Sequence, residues 1–358
     1  MLRCPTLARA LALTPHPHAS TPTFTTTHLP AAPVGSRATF GGTLVAQALL
    51  AALSTVPRDF APASVHCYFL RAGDPTRHIT YTVDRLRDGR GHLHREVRAH
   101  QGSDLVFTSL VLFAGEQGRP GILAHRKQRA GGLPPLGGYV PAAELFDREV
   151  LQDPRARSYY AGLPTAHQRG GQRHLDALRE SYVSQPLEYL FPPGFFAVDK
   201  GEAPPETTGY YVRVREEQES SQCHSDVNSD VNPPDSDITA GTADAAPSVM
   251  PPTDPRFGYA AFAYLSDSHL LLCLPQLAGL PMFSHAFSVS LDHAIHFHAP
   301  PAPHARLYAE LRRARSGAHR HLLHGEYFGA DGAIVASVSQ EGLVVYEGDA
   351  LASPAARL

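Results

Sequence analysis

The stretch HITYTVDRLRDGRGHLHREVRAHQGSDLVFTSLVLF, residues 78–113, contains three strand-like runs separated by two short turns. The turns, Asp88-Gly89-Arg90-Gly91 and Gly102-Ser103, are built from residues that favour tight hairpin connections. Residues 40–53 precede this stretch, are rich in leucine and small side chains, and are typical of a buried helix. We therefore predict one helix followed by an antiparallel meander.

The same pattern occurs again near the C-terminus. A second apolar helix candidate at 260–274 is followed by strand-like runs at 306–315, 320–328 and 333–346. An offset of 228 positions superimposes the two copies without a gap; it places Ile79 on Leu307, Gly89 on Gly317, Val106 on Ile334, Ser109 on Ser337 and Leu112 on Gln340. We interpret this as an internal duplication of a helix-plus-meander unit.

This duplication predicts an N-terminal domain at 1–115, an inter-domain linker at 116–182 and a C-terminal domain at 183–347, followed by a tail at 348–358. The linker is rich in glycine, proline and arginine and is expected to cross the surface. Residues 216–255 are rich in Ser, Asp, Pro and Ala and contain almost no large apolar side chains. Such a segment cannot bury enough surface to offset its ordering entropy, so we predict a disordered insertion.

The composition argues against several classes of protein. The net charge is −3 and lysine occurs only at Lys127 and Lys200, which does not suit a nucleic-acid partner. No apolar run reaches the roughly 18–20 residues that a membrane span needs. The four cysteines are scattered without a CxxC pair, as expected in a reducing compartment without structural zinc.

The usual catalytic motifs GxSxG, GxGxxG, GxxxxGK[ST] and HExxH are absent. Closely spaced histidines could suggest a metal site; they are His293, His296 and His298, and His319, His321 and His324. No clustered acid or cysteine completes either group, so neither a metal site nor a cofactor is predicted.

Polar side chains interrupt apolar segments at three places in the second half. Asp267 lies in the second helix candidate, where an ionised carboxylate needs hydrogen bonds unless it faces solvent. Both readings of Asp267 remain open from the helix alone. Ser290 and Gln340 lie in strand-like runs, and Gln340 falls on Leu112 of the first half. An amide in only one of two duplicated halves indicates that this half carries a polar site.

At these residues the chain resembles the acyl-CoA thioesterase II family, whose bacterial and peroxisomal members are double hot-dog proteins. The resemblance covers residues 35–115 and 183–346, with matching segments at 40–49, 66–74, 263–267, 290–293, 297–298 and 331–342. It implies an α+β double hot-dog, in which two tandem antiparallel sheets each wrap a helix. It also implies hydrolysis of fatty acyl-CoA to fatty acid and CoA, with Asp267, Ser290 and Gln340 as the catalytic triad.

In the implied reaction, Asp267 accepts a proton from the attacking water, and Ser290 and Gln340 hold that water and Asp267 in place. A covalent acyl-enzyme on Ser290 is the alternative chemistry, although no histidine base has a clear place beside it. Two other functions stay open: a non-catalytic acyl-CoA-binding protein, and a hot-dog enoyl-CoA hydratase, which would need an Asp and His pair.

The two ends of the chain suggest different subcellular locations for the protein. Residues 1–58 contain arginine but no Asp or Glu, as in a mitochondrial presequence. Ala356-Arg357-Leu358 resembles the Ser-Lys-Leu type of tripeptide that a peroxisomal import receptor reads. Because eukaryotic relatives commonly carry such a tripeptide, we expect a peroxisomal protein, with mitochondria as the alternative. The expected partners are the acyl-CoA substrate and the import receptor, and a homo-oligomer is left open.

Overall fold

The computed structural model describes residues 6–115, 123–163, 171–199, 203–216 and 249–346. The helices are α1 (Leu7–Leu11), α2 (Gly41–Leu53), α3 (Ala142–Phe146), α4 (Pro154–Gly162), α5 (Gly171–Ser184), α6 (Phe257–Ser266) and α7 (Leu274–Leu277). The strands are β1 (Leu13–Pro15), β2 (Thr23–Thr26), β3 (Phe60–Phe69), β4 (Thr80–Asp88), β5 (His92–Gln101), β6 (Asp104–Gly115), β7 (Val140–Pro141), β8 (Leu187–Phe191), β9 (Thr207–Val214), β10 (His285–Ser290), β11 (Asp292–Phe297), β12 (Leu307–Gly317), β13 (Arg320–Phe328) and β14 (Ile334–Tyr346).

These strands form one sheet, in the order β1-β2-β4-β5-β6-β3-β11-β14-β13-β12-β9-β8-β7, with β10 also paired to β14. The order β2-β4-β5-β6-β3 of the first half recurs as β9-β12-β13-β14-β11 in the second. The predicted pair of helix-plus-meander units is therefore confirmed. The two units join edge to edge where β3 pairs antiparallel with β11, so that Val65 lies opposite Ile295.

The helices α2 and α6 pack together in the core that this sheet encloses. Every residue of α2 after Gly41 is buried, which explains why the segment consists of small and aliphatic residues. Each fully buried leucine or valine contributes about 1.5–3 kcal/mol to folding relative to an exposed one. None of the helices in the described part of the chain has the length and apolar character that a membrane crossing requires.

The duplication extends to irregularities of the backbone. The register of β4 against β5 shifts between Arg85 and Arg87, and that of β12 against β13 shifts between Arg313 and Arg315. These positions are related by the offset of 228. A β-bulge inserts one extra residue and bends the strand, so both halves curve at the same place.

The last strand departs from that offset by one position. Val97 pairs with Ser109 in the first half, whereas the corresponding Gly325 pairs with Val338 in the second. The chain from Gly325 to Val338 is one residue longer than the chain from Val97 to Ser109, so Ser109 corresponds to Val338 and the prediction that it falls on Ser337 was wrong. The same correction places Gln340 on the buried Val111 instead of Leu112.

The prediction that residues 116–182 form a linker across the surface is wrong for much of the part of this segment that the structure describes. The helices α3, α4 and α5 bury side chains in the main core, among them Leu145, Phe146, Tyr160, Leu175, Leu178 and Tyr182. Apolar residues at helical spacing on α5 bury one face of that helix, although glycine, proline and arginine dominate the composition of the region.

The predicted disordered insertion at 216–255 lies mostly outside the described residues, which omit 217–248. Its C-terminal end contradicts the prediction, because the Val249 backbone N–H donates to the Leu13 carbonyl at 3.3 Å and Met250 is buried. Val249 and Met250 are therefore held against the rest of the fold, whereas Pro251, Pro252 and Thr253 are exposed. The predicted tail at 348–358, with Ala356-Arg357-Leu358, lies outside the described residues as well.

Candidate active site

The N-terminus of α2 meets the C-terminus of α6 at two glycines. A Cβ atom on Gly42 would lie 2.6 Å from the backbone oxygen of Tyr264, and one on Gly41 would lie 2.7 Å from Oδ2 of Asp267. Both distances are too short for a side chain, so the two helix ends can approach this closely only with glycine at these positions.

Asp267 caps the C-terminus of α6, whereas the sequence predicted a helix over 260–274. Ser266 Oγ lies 3.0 Å from the Ala263 carbonyl oxygen, and the Ser268 hydroxyl donates to the Leu265 carbonyl at 2.6 Å. Side-chain bonds of this kind compete with the helical ladder, which accounts for the earlier end. Ending here places the Asp267 carboxylate at the N-terminus of α2, where the Gly42 backbone N–H donates to it.

Gln340, on β14, connects the other two residues expected in the site. Its Nε2 atom donates to Asp267 Oδ1 at 2.8 Å and to Ser290 Oγ at 2.6 Å. Gln340 is fully buried, Asp267 is 9% exposed and Ser290 is partly buried, so the amide and the carboxylate lie away from bulk water. The structure thus brings together Asp267, Ser290 and Gln340, which are far apart in sequence.

The structure adds His293 and Ser266 to this cluster. The two ring nitrogens of His293 lie 3.1 Å from Gln340 Oε1 and 2.9 Å from Ser266 Oγ. His293 was considered in the sequence only as one of three closely spaced histidines. Its position on the repeat carried a usable signal, since at the offset of 228 it replaces Val65, a core residue of the first half.

The closely spaced histidines do not come together as a set of metal ligands. His296 is exposed and its ring packs against that of His66, with the centroids 5.3 Å apart. His298 lies 2.9 Å from the Ser337 hydroxyl. Within the ranges that the structure describes, no group of three or more His, Cys, Asp or Glu side chains could hold a metal ion.

Burial shifts the pKa values of both ionisable groups in the cluster. It raises the pKa of Asp267, against the opposing effects of His293, the Gln340 amide and the Gly42 N–H. Burial lowers the pKa of His293, and the nearby Asp267 carboxylate opposes that shift. When ionised, a carboxylate with a raised pKa is a stronger base than an exposed one. The cluster can therefore accept a proton.

A duplicated sheet wrapped around two helices defines a double hot-dog protein, and a buried carboxylate held by an amide and a backbone N–H gives it a site for acid-base chemistry. The model of the acyl-CoA thioesterase family matches residues 241–343, and the model of the acyl-CoA thioesterase N-terminal domain matches residues 27–114. Peroxisomal acyl-coenzyme A thioester hydrolase 1 of Saccharomyces cerevisiae is 41% identical over 331 residues, which cover 90% of each chain. The chain belongs to the acyl-CoA thioesterase family and is a thioester hydrolase.

The chain is also similar to more distant thioesterases and hot-dog proteins. Acyl-coenzyme A thioesterase 8 of Rattus norvegicus is 28% identical over 310 residues, covering 86% of this chain and 81% of the rat protein. The acyl-CoA thioesterase II TesB2 of Mycobacterium marinum superimposes with a TM-score of 0.59 at 22% identity, over 95% of this chain and 98% of that one. A hot-dog protein of unknown function from Alicyclobacillus acidocaldarius gives 0.58 at 15% identity, over 94% and 97%. These two structures bear on the fold, and the expected hot-dog fold is confirmed.

Proposed function

We propose that this protein hydrolyses fatty acyl-CoA by direct attack of water, with Asp267 as the base and Ser290 and Gln340 as its partners. One observation carries the proposal: a single amide group, that of Gln340, hydrogen-bonds both to the buried Asp267 carboxylate and to the Ser290 hydroxyl. The geometry suits a water held between a base and a hydroxyl, with the amide fixing both.

In this reaction Asp267 takes a proton from water as the water oxygen bonds to the thioester carbon. The C–S bond then breaks, and the proton on Asp267 passes to the departing thiolate to give CoA and a fatty acid. Because Ser290 Oγ accepts a hydrogen bond from Gln340, its own proton is available for the water or the developing oxyanion. A thiolate is a good leaving group, so the reaction requires neither a metal nor a covalent intermediate.

The hydrogen bonds favour water over Ser290 as the nucleophile. A serine nucleophile needs an adjacent base to take its proton. In the described part of the chain, Ser290 Oγ hydrogen-bonds to the Gln340 amide, while the imidazole of His293 is bonded to Gln340 and Ser266. The histidine is therefore engaged elsewhere.

Release of free thiol from a series of saturated acyl-CoA substrates, followed with a thiol-reactive dye, tests the proposal. We expect continuous thiol release by the purified protein on at least one chain length. Binding of acyl-CoA without thiol release would instead identify a non-catalytic acyl-CoA-binding protein. Hydration of an enoyl-CoA without thiol release would identify a hydratase.

We also propose that the protein is imported into peroxisomes through the receptor that recognises Ala356-Arg357-Leu358. The support is the tripeptide itself and the yeast relative, which is named as a peroxisomal enzyme. Deleting these three residues from an N-terminally tagged protein should move it from peroxisomes to the cytosol. Continued peroxisomal localisation of the truncated protein, or mitochondrial import of the untagged one, would contradict the proposal.

A further inference from the structure

We propose that His293 is a positioning residue that fixes the orientation of the Gln340 side-chain amide, and that Ser266 in turn fixes the tautomer of His293. The inference deepens the proposed function and rests on it, because it concerns how the pair of Asp267 and Ser290 is held. It assigns a role to two buried side chains that lie behind the catalytic groups.

The two ends of the Gln340 side-chain amide need different hydrogen-bond partners. Its NH₂ group donates to Asp267 and Ser290, so its Oε1 atom must find a donor on the opposite side. His293 Nδ1 lies 3.1 Å from that oxygen. A protonated Nδ1 supplies the donor. If the amide rotated by half a turn, Oε1 would face the Asp267 carboxylate and two acceptors would oppose each other.

A neutral imidazole with its proton on Nδ1 must accept a hydrogen bond at Nε2. Ser266 Oγ lies 2.9 Å from Nε2 and 3.0 Å from the Ala263 carbonyl oxygen, and in this tautomer its single proton is directed to Nε2. A continuous series of donors and acceptors thus runs from the Ser266 hydroxyl through His293 to the Gln340 amide. It ends on Asp267 and Ser290, and each member has one consistent orientation.

The duplication gives an independent argument. In the first half the positions of His293 and Gln340 are occupied by Val65 and Val111, which lie opposite each other on β3 and β6 and are both buried. The second half, which contains Asp267, therefore has an imidazole and an amide in contact where the first half has two paired core valines. Burying two polar groups costs free energy unless they bond each other. A valine fills the equivalent space in the first half, so filling space does not account for the histidine at this position.

Replacing His293 tests the inference, with kcat and KM for acyl-CoA measured separately. In His293→Phe the amide loses its donor and can rotate, so we expect kcat to fall about 10- to 100-fold, the scale for losing an orienting partner. KM should stay within about threefold, because the binding surface is unchanged. His293→Asn can present an amide N–H near the place of Nδ1 and should recover most of kcat. The matched control His296→Phe, at an exposed position three residues on, should behave as the unmodified protein.

A second measurement separates positioning from a general packing effect. In the Gln340→Ala background, His293→Phe should lower the residual rate no further, since its effect passes through the amide. A folded His293→Phe with unchanged kcat, or an Asn variant as impaired as the Phe variant, would overturn the inference. If His293→Phe does not fold, His293→Gln is used in its place. The Gln side chain places its amide near the position of Nε2, so this variant should be less active than His293→Asn. Equal activity of the Gln and Asn variants would overturn the inference. Full turnover by Asp267→Asn would instead refute the proposed function itself.

Discussion

At the scale of single residues, the two halves differ by a few exchanges between apolar and polar side chains at equivalent buried positions. His293 and Gln340 stand where the first half has Val65 and Val111, and all four are essentially inaccessible to solvent. Since unpaired polar groups are expensive in such places, the polar pair at these two positions supports the proposal that the second half carries the site.

The pH dependence of the reaction follows from Asp267. Burial raises its pKa, and the base must be ionised to accept a proton, so activity should be lost as the pH falls through that raised pKa. A profile of kcat/KM from pH 4 to 8 should show its acid limb above the ordinary carboxyl range near 3.9. Circular dichroism over the same range excludes unfolding. A constant rate down to pH 4 in folded protein would contradict the assignment.

The sequence predicted Asp267, Ser290 and Gln340 as the site, and the structure brings them together. His293 was missed because its contact with Gln340 forms between neighbouring strands, which periodicity does not reveal. The end of α6 was missed for a related reason: the Ser268 hydroxyl bonds to the Leu265 carbonyl inside an apolar segment that otherwise suits a longer helix.

At the scale of elements, the first half carries its own buried polar group. Arg95 on β5 is 2% exposed; its guanidinium donates to Thr55 at 2.9 Å and to Asp88 at 2.6 Å. The second half has Leu323 at this position, since Leu323 pairs with Gln340 as Arg95 pairs with Val111. The two meanders thus keep the same backbone with different side chains beneath it.

This exchange leads to a stability prediction. Arg95→Leu copies the second half, leaves Asp88 half exposed to water and keeps the core filled, so its destabilisation should be modest. Arg95→Ala leaves a cavity as well and should cost at least about 2 kcal/mol more. Urea unfolding of both variants measures the difference. Equal losses of stability would show that the ion pair, and not the filled volume, is what matters at this position.

Strand and helix assignments in both meanders could be predicted from alternation and turn residues, because hairpins are local. The helices at 142–184 could not, since glycine, proline and arginine obscured the apolar face of α5 formed by Leu175, Leu178 and Tyr182. Composition averages over a whole segment, whereas burial depends on the few residues that face the core.

At the scale of the whole molecule, the pairing of β3 with β11 makes one sheet of the two units. This junction joins residues more than 220 positions apart, which a reading of local patterns cannot specify. It also explains why the site, although built on the second half, contacts the first: the Asp267 carboxylate receives the Gly42 N–H from α2.

The continuous sheet implies that the halves unfold together. Leu49 lies on α2 and is fully buried, so Leu49→Ala should destabilise the fold by about 2–5 kcal/mol. In thermal unfolding, the loss of circular dichroism signal and the loss of thiol release should occur in one transition, and the variant should lower both midpoints by the same amount. If the variant showed two transitions, with activity surviving the first, the halves would be independent domains.

Water attack assisted by Asp267 is tested most directly by the turnover of Asp267→Asn on acyl-CoA, measured as release of free thiol. The Asn side chain keeps the size of Asp267 but cannot act as the base. The role of Asp267 as the base predicts that the variant folds, binds acyl-CoA, and turns over about 10²- to 10⁴-fold more slowly than the unmodified protein. A folded Asp267→Asn variant with turnover near that of the unmodified protein would contradict it.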